Sequence, residues 1–118
     1  MRVDTLVHAA VETELAAPPA APVDGQCWLV SSGASGGWTG KAGQIAARQA
    51  GNWIFVAPRD GMRVLNRATG QEIRYQGAWL APGRPATPSG GATIDTEARA
   101  ALAALMACLT DAGIIPAP

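Results

Sequence analysis

With 118 residues, nine basic and nine acidic side chains, and a formal net charge of zero, the chain is sized for one domain with a modest core. The charge balance argues against nucleic acid or an anionic membrane as the main partner, since both are held by excess positive charge. One histidine and two distant cysteines exclude a conventional zinc site, and no run approaches the roughly 20 apolar residues of a membrane helix.

Hydrophobic residues make up 48% of the chain, yet 14 glycines and 9 prolines stand against a single Phe and a single Tyr. Such a chain turns often, so many short strands are expected, with help from an oligomer interface. Arginine outnumbers lysine strongly, which leans toward fixed, planar ion pairs. Cys27 and Cys108 lie far apart, one in an expected strand and one in an expected helix, and read as two buried thiols. The start carries no charged region followed by a long apolar core, so the chain is expected to fold in the cytoplasm.

In chain order, Arg2 to Ala10 reads as a short helix. Val11, Thr13 and Leu15 then alternate with Glu12 and Glu14, the two-residue period of a half-buried strand. The prolines of Ala17-Pro18-Pro19-Ala20-Ala21-Pro22 lack backbone donors and keep that stretch extended outside a sheet. Cys27-Trp28-Leu29-Val30 is a continuous apolar run, as in a strand buried on both sides. The glycine-rich loop from Gly33 to Gly43 follows a strand as a phosphate-binding loop does. Its spacing departs from that motif, with Ser35 where glycine is required and Ala42 where Ser or Thr is required. It therefore reads as a surface loop with Trp38 pinned to the sheet.

Arg48-Gln49-Ala50-Gly51-Asn52-Trp53-Ile54 returns as Arg74-Tyr75-Gln76-Gly77-Ala78-Trp79-Leu80, and both copies read as tight hairpins. Gly51-Asn52 and Gly77-Ala78 are expected as type II′ turns, which places Ala50 opposite Trp53 and Tyr75 opposite Leu80. Trp53-Ile54-Phe55-Val56 is apolar on both faces, so it should be central or lie against another subunit. Met62 to Arg67 and Glu72 to Gln76 form a further hairpin around Gly70. Pro82 to Ala92 reads as a linker. Asp95 caps a helix from Thr96 to about Asp111, stopped by Gly113. Its positions Ala98, Leu102, Leu105, Leu109 and Ala112 fall on a heptad seam, the pattern for packing on another copy.

The expected fold is mainly β: a small antiparallel β-barrel or sandwich of short hairpins with a short N-terminal and a C-terminal helix. The expected division is a β-rich domain over 1–81, a linker over 82–92, and the helix with its tail over 93–118. No catalytic residue, metal ligand or cofactor is assigned. His8 has no nucleophile or orienting acid beside it. Glu12 and Glu14 share a strand face, an arrangement open to a glycosidase carboxylate pair, and a solvated strand face predicts the same spacing. Trp38 and Trp79, at loop or strand ends, are the residues expected to face a ligand such as a sugar ring. Trp53, Phe55, Ala98, Leu102, Leu105 and Leu109 are the expected subunit interface.

The order Leu15-Ala16-Ala17-Pro18-Pro19-Ala20-Ala21-Pro22-Val23-Asp24-Gly25, Gly33-Ala34-Ser35-Gly36-Gly37-Trp38-Thr39-Gly40, Gly43-Gln44-Ile45-Ala46, Gly51 to Gly61 and Gly77-Ala78-Trp79 resembles a family of domains of unknown function. That family is found in tail fibres of bacteriophages and gene transfer agents of alphaproteobacteria. The N-terminal helix of the family is longer than the one expected here, and Met62 to Glu72 differs from its aromatic-rich version. The resemblance implies a non-enzymatic virion component of the tail tip or fibre that acts in assembly and host attachment. It also implies a homotrimer that touches other tail proteins of the hub or baseplate and, at the host, a surface glycan. The alternative is a carbohydrate-binding module or a cell-wall glycan hydrolase module.

Overall fold

The computed structural model describes residues 10–118. The expected helix over Arg2 to Ala10 therefore lies, except for its last residue, outside the described residues, and Ala10 itself begins a strand. Eight strands and one helix follow: β1 (Ala10–Val11), β2 (Glu14–Leu15), β3 (Cys27–Val30), β4 (Ile45–Gln49), β5 (Asn52–Val56), β6 (Arg63–Asn66), β7 (Gln71–Tyr75), β8 (Trp79–Leu80) and α1 (Thr96–Asp111). They form two four-stranded sheets, ordered β1-β6-β7-β8 and β2-β3-β4-β5.

The sheets are mixed, which corrects the antiparallel expectation, and they face each other without closing into a barrel. In each, a two-residue strand from the N-terminal segment runs parallel to its neighbour, and an antiparallel three-strand meander completes the sheet. The alternation at Val11 to Leu15 is thus not one strand. Glu12 and Thr13 cross from one sheet to the other: the Arg67 amide donates to Val11 O at 2.8 Å, and the Leu29 amide donates to Thr13 O at 3.1 Å. Val11, Cys27, Leu29, Ile45, Ala47, Val56, Val64 and Ile73 fill the space between the sheets.

β3 is buried along its whole length, as its apolar run requires. Its other face, with β4 and β5, carries Trp28, Val30, Ala46, Trp53 and Phe55, and the loop after β3 folds back to cover them with Trp38. Trp38 is 0% exposed. Its ring meets Trp53 edge-on at 5.1 Å and Trp28 at 6.4 Å, in the offset geometry that aromatic quadrupoles favour. Partial burial on both faces explains the apolar run of β5, although β5 is an edge strand and not a central one.

The repeated hairpins lie in different sheets and differ in register from the expectation. In β4–β5 the loop is Ala50-Gly51, with Gln49 opposite Asn52 and Arg48 opposite Trp53. Both loop residues have positive φ, 50° and 77°, the signature of a type I′ turn, whose twist matches the strands. In β7–β8, Gly77 is the loop residue with positive φ. The loop widens to three residues, with Tyr75 opposite Trp79 and Arg74 opposite Leu80. Arg and Trp have the same spacing in both copies, yet Trp53 points to the outer face of its sheet and Trp79 to the core side of its own.

Each hairpin tip is held by an aspartate that precedes the first strand of its meander. The Gly51 amide donates to Asp24 Oδ1 at 3.2 Å, and the Gly77 amide to Asp60 Oδ1 at 2.8 Å. Both aspartates are followed by a glycine with φ above 90°, Gly25 and Gly61. Replacing either by alanine is expected to lower stability by about 1 kcal/mol, the worth of one such hydrogen bond, as read by urea unfolding. Ala50→Gly has the opposite sign. It removes a left-handed penalty of about 1–2 kcal/mol against an entropic cost of about 0.5–1 kcal/mol, so an unfolding free energy higher by about 0.5–1 kcal/mol is expected in the same assay.

The C-terminal part packs on the far end of the β6–β7 hairpin. Gln71, buried, donates through Nε2 to Pro82 O at 2.8 Å and to Ile114 O at 2.9 Å, and the Ala117 amide donates to Thr69 O at 3.0 Å. The start of the expected linker is also tied down, with Arg84 Nη1 donating to Thr110 Oγ1 at 2.7 Å. α1 begins as its cap dictates, with the Ala98 amide donating to Asp95 Oδ1 at 2.9 Å. It buries only Met106 and projects from the sheets. The described chain measures 58 × 28 × 27 Å with a radius of gyration of 17.6 Å, against about 13.5 Å for a compact chain of this length.

Candidate functional site

Where the sheets part beside β8, a groove of about 520 Å³ opens between them, lined by Glu14, Ser31, Ser32, Gly43, Tyr75 and Trp79 among others. Trp79 reaches it because the three-residue turn sets its strand to the core side. Its indole N–H donates to Gly43 O, across the gap in the other sheet, at 2.8 Å, and its ring meets Tyr75 edge-on at 5.1 Å. These two contacts fix the indole plane. The half-buried rings form one wall of the groove, while the Glu14 carboxylate and the Ser31 and Ser32 hydroxyls supply acceptors and donors around it. A fixed aromatic surface beside a few polar groups suits a ligand with one apolar and one hydroxyl-bearing side.

Of the two tryptophans expected to face a ligand, the structure brings only Trp79 to a groove. Trp38 is a correction: its ring is enclosed by Trp28, Trp53 and the sheet, and its indole N–H meets no acceptor among the described residues. The loop is tied to the segment after β2, where the Ser35 amide donates to Ala16 O at 2.9 Å, and Gly36 lies beside Pro18. Tyr75 and Ser31 were missed by the sequence reading. The signal for Tyr75 was its cross-strand position opposite Trp79, which appears only once the turn length is known.

Glu12 and Glu14 have different surroundings: Glu12 Oε1 accepts from Arg67 Nη1 at 2.7 Å, while Glu14 lines the Trp79 groove. Only one other ion pair, Arg63–Glu72 at 3.2 Å, occurs among the described residues, so most arginines are used otherwise. Arg48 lies 5.0 Å from the Trp53 ring centre, and Lys41 lies 5.1 Å from that of Phe55. These cations and the tryptophan cluster occupy one face of the expected interface residues Trp53 and Phe55. Both cysteines are free, but only Cys27 is buried and Cys108 is exposed on α1. Burial, and secondarily the Glu12 carboxylate, push the Cys27 thiol up, which keeps it protonated and unreactive.

The helical seam is open to solvent. Leu102 is 45% and Leu105 54% exposed, Ala98 is exposed, and Leu109 is half-buried. No group of three or more His, Cys, Asp or Glu side chains that could hold a metal ion is found among the described residues.

Among curated proteins none matches the chain. A family described as a protein of unknown function, DUF2793, matches residues 1–80, which takes in both sheets, the two hairpins and the Trp79 groove and leaves α1 outside. The chain belongs to the DUF2793 family.

Proposed function

We propose that the chain is a structural and adhesive component of a phage-type tail fibre or tail tip, working in virion assembly and host attachment without catalysis. The observation that carries this reading is the open heptad seam on a helix that projects from the sheets. Leucines spaced four and three apart and left in water are stabilised by packing into the holes of an identical helix. A parallel bundle of three such helices would hold three β-rich bodies side by side, in the virion and against the hub or baseplate proteins. The sequence resemblance to tail-fibre domains supports the same reading.

The adhesive part rests on the Trp79 groove, with a surface glycan of the host as its ligand. Three copies of a weak site on one particle raise avidity without any new contact. A carbohydrate-binding module is the second reading, favoured by the same groove. Hydrolysis by Glu12 and Glu14 is disfavoured, because Glu12 is engaged by Arg67.

The native mass of the chain at micromolar concentration is expected to be that of a trimer. Leu102→Glu combined with Leu105→Glu is expected to give a monomer with unchanged β-sheet circular dichroism, and a monomeric wild type would overturn the fibre reading. Trp79→Ala is expected to weaken binding of the trimer to purified bacterial envelope polysaccharide about thirtyfold, the effect of a ~2 kcal/mol hot spot. Equal binding by this variant would remove the groove from the adhesive role and leave the assembly role standing.

A further inference from the structure

On the outer face of the β1-β6-β7-β8 sheet, Arg63 and Arg74 lie directly opposite each other on β6 and β7. Like charges placed so repel. The repulsion is half relieved: Arg63 Nη1 contacts Glu72 Oε1, while the Arg74 guanidinium has no ion pair or hydrogen bond among the described residues. Its counterpart in the other hairpin, Arg48, lies over Trp53. Arg74 has no such ring, because the wider turn sends Trp79 to the opposite face and puts Leu80 beside it.

Arg63, Arg74 and Glu72 border a pocket of about 420 Å³, whose other walls are Leu80, Pro82, Ala112, Gly113 and Ile114. Leu80 is 41% and Ile114 51% exposed. The lips are held in place, since the Glu72 backbone amide donates to Gly113 O, and Nε2 of the buried Gln71 donates to both Pro82 O and Ile114 O. A preformed hollow therefore joins an unsatisfied cation to exposed aliphatic surface, at a volume in the range of small-ligand sites.

We propose that this pocket binds a small organic carboxylate with an apolar body. The carboxylate sits between Arg74 and Arg63 and turns their mutual repulsion into attraction, with the planar fork of Arg74 positioned for two parallel N–H···O bonds. The apolar body lies on Leu80, Pro82 and Ile114. Glu72 competes for Arg63 and sets the affinity. The site is separate from the Trp79 groove, which opens on the other face of the same sheet, and it does not depend on the proposed role in a tail fibre.

Cyclohexanecarboxylate, cyclohexylmethanol and inorganic phosphate, each titrated into the full chain and followed by amide NMR shifts, test the assignment. The carboxylate is expected to bind, with shifts centred on Arg74, Leu80 and Ile114. The alcohol and the phosphate, each lacking one half of the recognised chemistry, are expected to bind at least about tenfold more weakly. Arg74→Gln is expected to weaken the carboxylate about tenfold, the effect of losing a charge-assisted hydrogen bond. Glu72→Gln is expected to strengthen it by releasing Arg63, a gain that a merely structural arginine would not produce. Both substitutions are at exposed positions, and unchanged thermal melts verify the fold. Absence of carboxylate binding at millimolar concentration, equal binding of the alcohol or of phosphate, or an unchanged affinity in Arg74→Gln overturns the proposal.

Discussion

The fold depends on one crossing. Between β1 and β2 the chain leaves one sheet and joins the other within two residues, Glu12 and Thr13, and along the way it completes an edge of each. Val11 is buried between the sheets, and the backbone around it is bonded to both: the Arg67 amide donates to Val11 O, and the Glu12 amide donates to Cys27 O. The Arg67–Glu12 ion pair spans the same junction. A three-stranded meander alone would expose an edge and half of a small core. Two meanders clasped by one crossing segment bury a common interior, which a chain with so few large side chains needs.

Within that clasp the meanders follow one plan. Each starts at an Asp-Gly, runs through an antiparallel hairpin, and returns its tip so that a glycine amide meets the starting aspartate. They differ in what covers their outer faces. One is roofed by Trp38 and its loop, which makes a second, tryptophan-rich core on the far side of the sheet. The other is only partly covered, by the segment after α1, and keeps arginine, glutamate and leucine in contact with solvent. The asymmetry separates a structural half from a half with open surface.

Much of this was legible in the residues, and the remainder was hidden for definite reasons. Period and punctuation found β3 to β8, the Asp95 cap and the end of α1, because those signals are local. Glu12 and Glu14 looked like one strand since alternation is the same whether five residues serve one sheet or two. Parallel pairing to β3 and β6 joins residues far apart, and no turn announces it. The β4–β5 register differs from the type II′ expectation because Ala50 adopts positive φ ahead of Gly51 and becomes the first loop residue. In β7–β8 the loop takes in Gln76 as a third residue, and only this places Tyr75 and Trp79 on one wall of the groove. Trp38 stands at a loop, where exposure is the usual expectation, and its enclosure comes from the cluster with Trp28 and Trp53, which the sequence does not announce.

The turn after Tyr75 has a wider meaning. In both hairpins arginine and tryptophan are separated by the same number of residues, so no substitution in either strand explains why one tryptophan roofs a sheet and the other walls a groove. The difference lies in whether the chain reverses over two residues or three. A loop tip, where changes cost the fold least, thereby acts as a selector for the direction of whole side-chain sets. Surfaces in such a duplicated scaffold can be exchanged by editing a turn, with the tryptophan and the arginine left in place.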